Sequence, residues 1–131
     1  MSTLNLSLDL PLRHDASALA RRCLVDTLRA WGFADEDWLH DAALLVTELV
    51  SNAVRHGGSE VTLDVQANGG HVVVAVVDGS DVLPVAGSGD EQSEGGRGIR
   101  IVESLTQSWG IEQRHGGKRV WAVLQPAAPL A

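Results

Sequence analysis

"ELVSNAVRHGG", residues 48–58, decides how the rest of the chain is read. It follows an apolar run and sets Glu48, Asn52 and His56 four residues apart. On a helix such residues stand nearly above one another. A carboxylate, a carboxamide and an imidazole therefore share one edge, beside an apolar stripe through Ala42, Leu45, Leu49 and Ala53. Gly57 and Gly58 supply a left-handed stop. Read alone, the polar stripe also fits a solvated face, with His56 well placed for the C-terminal dipole. Asn, however, is a poor mid-helix residue, because its side chain competes for backbone hydrogen bonds. That cost points to a use. A single carboxamide oxygen suits Mg²⁺, which keeps its waters and fills its shell from phosphates.

Working outward, this periodic segment begins near residue 34, where Asp35, Glu36 and Asp37 suit the positive end of a helix dipole. Before it, "TLNLSLDL" (3–10) alternates as a half-buried strand, with Leu4, Leu6, Leu8 and Leu10 on one face. Pro11 ends the strand. Asp15 is placed to cap a helix running to about Trp31, and Gly32 stops it. Beyond the opening stretch, "EVTLDVQANGGHVVVAVVD" reads as a hairpin of strands near 60–66 and 71–77 about an Asn-Gly turn. The second strand is apolar on both faces, which predicts a central position.

Residues 78–94 are rich in Gly, Ser and Asp and lack periodicity. A loop that long inside a compact domain is usually functional. "GGRGIRIVESLTQ" (95–107) then turns helical, with Ile99, Val102 and Leu105 inward. "SWGIEQR" and "KRVWAVL" close the chain as a second hairpin. The order predicts an α/β (α+β) two-layer sandwich: a mostly antiparallel or mixed sheet with helices on one face. One domain is expected over 1–125, with a frayed tail over 126–131.

Bulk properties narrow the function. The 131 residues carry a formal net charge of -7 and no basic block, so a direct nucleic-acid partner is not expected. No stretch approaches the roughly 18 apolar residues that span a bilayer, and a cytoplasmic protein is the simplest expectation. Cys23 is the only cysteine, which excludes an intrachain disulfide; its place in a helical pattern predicts a buried structural thiol.

Two further features carry chemistry. Asp78 follows the apolar strand directly and precedes Gly79. An Asp-Gly pair can simply make a turn. A carboxylate at the lip of a buried strand can also accept a hydrogen bond from an exocyclic amine such as that of adenine, and the glycine lets a flat base approach. "GGRG", Gly95, Gly96, Arg97 and Gly98, opens the next helix. It can be a flexible entry, or exposed amides and the helix dipole can make it an anion site with Arg97 and Arg100 adding charge. It is not a P-loop, since no Gly-Lys-Ser/Thr follows, and Ile101 stands where a dinucleotide fingerprint has its third glycine.

Taken in order, these pieces resemble the nucleotide-binding fold of histidine kinases, DNA gyrase and Hsp90-type chaperones, the histidine-kinase-like ATPase or Bergerat fold. More narrowly they resemble the stand-alone actinobacterial type of the bacterial anti-sigma-factor serine/threonine kinase family. "TELVSNAVRHG" is similar to its N-box, "VVDGSD" to its first glycine box, and "GGRGIRIVESL" to its second.

The resemblance implies ATP and Mg²⁺ as cofactors. Asn52 would hold the metal, Glu48 would be the catalytic base toward a serine or threonine hydroxyl, and Asp78 would take the adenine amine with Gly79 beside it. Gly95, Gly96, Arg97, Gly98 and Ile99 would surround the phosphates, with residues 86–95 as a lid and Arg55 and His56 flanking the same edge. It also implies a small anti-sigma antagonist as phosphate acceptor, a sigma factor as target, and a homodimer. A histidine-kinase role is not expected, because the chain leaves no room for a phosphoacceptor dimerisation domain. The sequence departs from the family in two places. The first glycine box reads Asp78-Gly79-Ser80-Asp81, and the threonine that often helps hold adenine has no clear counterpart, with Arg119 nearby. Those departures motivate an alternative: a non-catalytic docking module with weak or no nucleotide binding.

Overall fold

The computed structural model describes residues 3–11, 13, 15–56, 60–79, 102–114 and 116–125. Five strands form one sheet: β1 (Leu4–Leu10), β2 (Val61–Asn68), β3 (His71–Asp78), β4 (Thr106–Arg114) and β5 (Gly117–Leu124). Two helices, α1 (Ala16–Ala30) and α2 (Glu36–His56), precede β2. The strand order is β1-β2-β3-β5-β4, and every pairing is antiparallel. β4 therefore runs parallel to β3 two places away, and β5 returns between them. β3 is central, as its valines predict.

The alternation in the strands fixes which face meets the helices. Val61, Leu63, Val65 and Ala67 of β2 stand opposite Asp78, Val76, Val74 and Val72 of β3. Val74, Val76 and Asp78 in turn face Ala122, Val120 and Lys118 of β5. Directly opposed residues point to the same face, so these side chains make one surface, all of it buried. Ala16, Ala20, Leu24 and Leu28 of α1 and Leu45, Val46, Leu49, Val50 and Ala53 of α2 cover it. The edge strand β1 emerges gradually from this cover: Leu10 is buried, while Leu4 is 39% exposed.

Local details refine the expected boundaries. Asp15 precedes α1, but its side chain makes no capping hydrogen bond; it lies 3.4 Å from Arg13 instead. α1 ends where Gly32 takes a φ of 102°, as expected. For α2 the cap is Asp35, whose Oδ1 accepts from the Trp38 amide at 3.1 Å. The β2–β3 turn is Gly69-Gly70, with Gly69 at φ 65°, so Asn68 still pairs with His71 inside the ladder. Residues 102–105 are helical, with Val102 buried, but β4 already starts at Thr106, short of the helix end read from the sequence. Cys23 is half-buried rather than fully enclosed. The long loop from residue 80 onward, its following glycines and the tail lie outside the described residues.

Candidate functional site

The direction of α2 places its polar edge. Near its start, the Trp38 indole Nε1 donates to the Gln125 carbonyl at 2.8 Å, just past the end of β5. The Gln125 side chain in turn donates to the Thr106 carbonyl at 2.9 Å. Helix and sheet are thus pinned together at that end. From Trp38 to Asn52 the helix advances about 21 Å at 1.5 Å per residue. From Gln125 back to Lys118, β5 covers about 23 Å at 3.3 Å per residue. The C-terminal turns of α2 therefore lie toward the sheet end that carries Asp78 and Lys118. The chain after α2 agrees: only four residues separate His56 from Val61, the cross-strand partner of Asp78.

That end of the sheet is a single transverse row, Leu10–Val61–Asp78–Lys118. The first two continue the apolar surface. The last two break it. Lys118 Nζ donates to Asp78 Oδ1 at 3.1 Å and lies 2.9 Å from Oδ2, and neither side chain has any exposed surface. A small hollow of about 160 Å³ sits at the apolar end of the row, between Asp9, Leu10, Glu60 and Val61.

The Lys118 contact is the feature the sequence reading missed. Strand alternation held the signal: Lys118 is in phase with Val120, Ala122 and Leu124, so it had to point inward. Arg119 is out of phase; its guanidinium faces the other side of the sheet, 3.6 Å from Glu112. The residue opposite Asp78 is therefore Lys118, not Arg119.

Each expected site residue can now be placed. Glu48 and Asn52 are half-buried on α2, one turn apart, and Arg55 is exposed in the last turn. His56 is the final residue of the helix. Beside them, Ser51 shares a 2.9 Å hydrogen bond with Ser17, tying this part of α2 to α1. Asp78 is buried, and Gly79 follows it half-buried. Gly95, Gly96, Arg97, Gly98 and Ile99 lie outside the described residues.

The donor set meets two tests. Among the described residues no cluster of three His, Cys, Asp or Glu side chains is placed to hold a metal, so an ion here depends on a lone carboxamide such as Asn52 and on ligand phosphates, as fits Mg²⁺. Asp78 offers carboxylate oxygens to a base amine, but it shares them with Lys118. A separate cavity of about 430 Å³, bordered by Arg21, Arg22, Arg29, Glu36 and His40, opens against the N-terminal half of α2. Among the described residues, no helix is long and apolar enough to cross a membrane.

Comparison with known proteins places this architecture. The family model for the histidine kinase-like ATPase domain matches residues 10–124. Among solved structures, the RsbU and RsbW domains of Rv1364c from Mycobacterium tuberculosis superpose with a TM-score of 0.72 at 22% identity, over 96% of this chain and 33% of that one. The chain thus spans about a third of the length of that neighbour. The histidine kinase domain of the blue-light activated histidine kinase from Erythrobacter litoralis EL346 gives a TM-score of 0.52 at 25% identity, over 71% of this chain and 45% of that one. The Acinetobacter baumannii histidine kinase AdeS gives 0.53 at 9% identity, over 96% and 69%. No curated protein sequence gives a significant match.

Proposed function

The chain belongs to the histidine kinase-like ATPase family, and from that premise we propose that it is an ATP-binding serine/threonine protein kinase acting as an anti-sigma factor. The observation that carries the reading is the placing of the Glu48–Asn52 edge of α2 toward the sheet end that ends in Asp78. A base-binding carboxylate and phosphate-side polar groups would then stand toward the same end of the sheet. The likeness in fold to a structure containing an RsbW domain supports the narrower assignment.

In this reading Asn52 is the protein ligand of Mg²⁺, and the ion supplies charge neutralisation at the phosphates when bound. Glu48, one helical turn earlier, accepts the proton of a serine or threonine hydroxyl on a separate acceptor protein. The acceptor is a small anti-sigma antagonist, the sequestered target is a sigma factor, and the working form is a cytoplasmic homodimer. Gly95, Gly96 and Gly98 contribute backbone amides to the phosphates.

One observation favours the second reading, a docking module that binds nucleotide weakly or not at all: the carboxylate meant for the base already holds an ammonium. Titration calorimetry with Mg-ATP separates the two. Saturable heat, followed by transfer of labelled phosphate to a partner captured from the host, supports the kinase. Absence of heat at high protein concentration favours the docking module.

A further inference from the structure

We propose that the sheet face turned away from the helices is the contact surface between two copies of this chain, packed face to face about a two-fold axis parallel to β3. The proposal gives an interface to the homodimer of the reading above and depends on no ligand. Strand phase defines the face. One transverse row runs Asp9, Thr62, Val77, Arg119 and Glu112. The row beside it sets Asp64, Ala75 and Trp121 in line, and a third sets Val73 opposite Val123. Both helices cover the opposite face.

The side chains here are not those of a solvated face. An antiparallel sheet with one wet side alternates apolar and polar residues. β1 and β2 obey that rule, with Ser7 and Asp64 outward. β3 breaks it: Val73, Ala75 and Val77 are apolar on the outer side as well. Ala75 is buried, while Val73 and Val77 are half-buried together with Trp121 and Val123 of β5. An apolar patch therefore occupies the middle of the sheet, flanked by polar strands, which is the apolar core and polar rim of a protein interface. Trp121 gives it an aromatic anchor.

Three features point to a second copy as the occupant. A flat sheet face packs well on another sheet face about 10 Å away. A two-fold axis parallel to β3 lays β2 of one copy over β5 of the other, row for row, and sets the β3 valines on their own counterparts. The charges match under that axis. The cation Arg119 lies on one flank of the patch and the acids Asp64 and Asp9 on the other. Arg119 then stands over the partner's Thr62 and within reach of the partner's Asp64, and symmetry makes the ion pair twice. Glu112, 3.6 Å from Arg119, stays at the margin. Strands about 4.8 Å apart, rising about 3.3 Å per residue, give a face of about 500 Å². Two copies bury about 1,000 Å² together, the lower bound for a specific interface.

Sedimentation equilibrium of the full chain over a range of concentrations tests the proposal. Wild type is expected at twice the chain mass when concentrated and to dissociate on dilution. Val77→Lys puts a charge at the centre of the patch and should raise the dissociation constant by about 100-fold or more. Arg119→Asp and Asp64→Arg should each weaken the dimer about tenfold, and the two together should restore it to within about threefold of wild type. Circular dichroism checks that each variant is folded. The charge reversals leave the core untouched, so they decide the matter even where Val77→Lys unfolds the chain. A wild type that stays monomeric when concentrated overturns the proposal, leaves the face to a different partner and removes the homodimer from the reading above. A dimer indifferent to all these substitutions forms through another surface, which overturns this inference alone. Failure of the double reversal to restore association overturns the two-fold arrangement.

Discussion

Gly117 packs its α-carbon against the backbone of Asp78, so closely that a methyl group at residue 117 would overlap the Asp78 carbonyl oxygen. The same methyl would stand 3.0 Å from the Gly79 α-carbon and 3.1 Å from the Asp78 carbonyl carbon. Backbone obstructs it from both residues, and no rotamer change gives relief. Gly117→Ala is therefore expected to force β3 and β5 apart where the candidate site begins. The expected loss is about 2 kcal/mol or more of folding stability, together with weaker nucleotide binding. Urea denaturation followed by Mg-ATP calorimetry checks both, and an unchanged denaturation midpoint would contradict the packing.

Gly110→Ala supplies the contrast. A methyl there would meet Cζ2, Cε2 and Nε1 of the Trp121 indole at 2.6, 2.8 and 3.0 Å. The obstacle is a half-buried side chain on the face of the sheet away from the helices, and it can turn aside. The expected loss is about 1 kcal/mol, with nucleotide binding unaffected because the row through Asp78 is untouched. Denaturation midpoints for the two alanine variants should rank Gly117→Ala below Gly110→Ala; the reverse order would refute the distinction between backbone and side-chain obstruction.

The ion pair itself gives a stability test that needs no ligand. Lys118→Met keeps most of the volume but leaves Asp78 without its cation inside the protein. Removing one partner of a buried pair costs about 3–5 kcal/mol. Asp78→Asn combined with Lys118→Met removes the second charge as well and should recover most of that loss. Denaturation of the two variants measures this directly. Equal stability of the single and double variants would mean that the pair is not the buried couple described here.

Much of this was legible in the sequence, and what was missed has physical causes. Leu4 to Leu10 alternate in sequence, and the burial of β1 follows that alternation from Leu6 to Leu10. The stripe through Leu45, Leu49 and Ala53 gave α2 its buried face, and Asp35 with its two acidic neighbours marked the start. The hairpin turn shifted by one residue because four consecutive positions, Asn68 to His71, allow more than one pairing; only the cross-strand register settles it. Apolar spacing does not separate a helix end from a strand start, so it carries the helix past Thr106, where β4 begins. Asp78 is legible as a carboxylate at a strand end, but its partner lies 40 residues away. That contact follows from β5 entering between β3 and β4, a topological fact that local patterning does not carry. Lys118 is also buried against the general tendency of lysines to stay outside, so residue type and strand phase point in opposite directions there.

Glu48 and Asn52 sit one turn apart on the same edge of α2, so their substitutions should separate two steps of one reaction. Glu48→Ala removes the proposed proton acceptor and leaves the proposed phosphate and base contacts in place. Transfer to a cognate protein acceptor should fall by about 10²- to 10⁴-fold, while Mg-ATP binding stays near the wild-type value. Asn52→Ala removes the metal's carboxamide ligand, so nucleotide binding should weaken in the presence of Mg²⁺ and change little in its absence. Calorimetry with and without the metal, paired with a labelled-phosphate transfer assay, reads both variants. Loss of nucleotide binding in Glu48→Ala would make that carboxylate part of the binding site, and undiminished transfer would remove it from the chemistry. An Asn52→Ala protein whose ATP affinity does not respond to Mg²⁺ removal any differently from wild type would place the ion elsewhere.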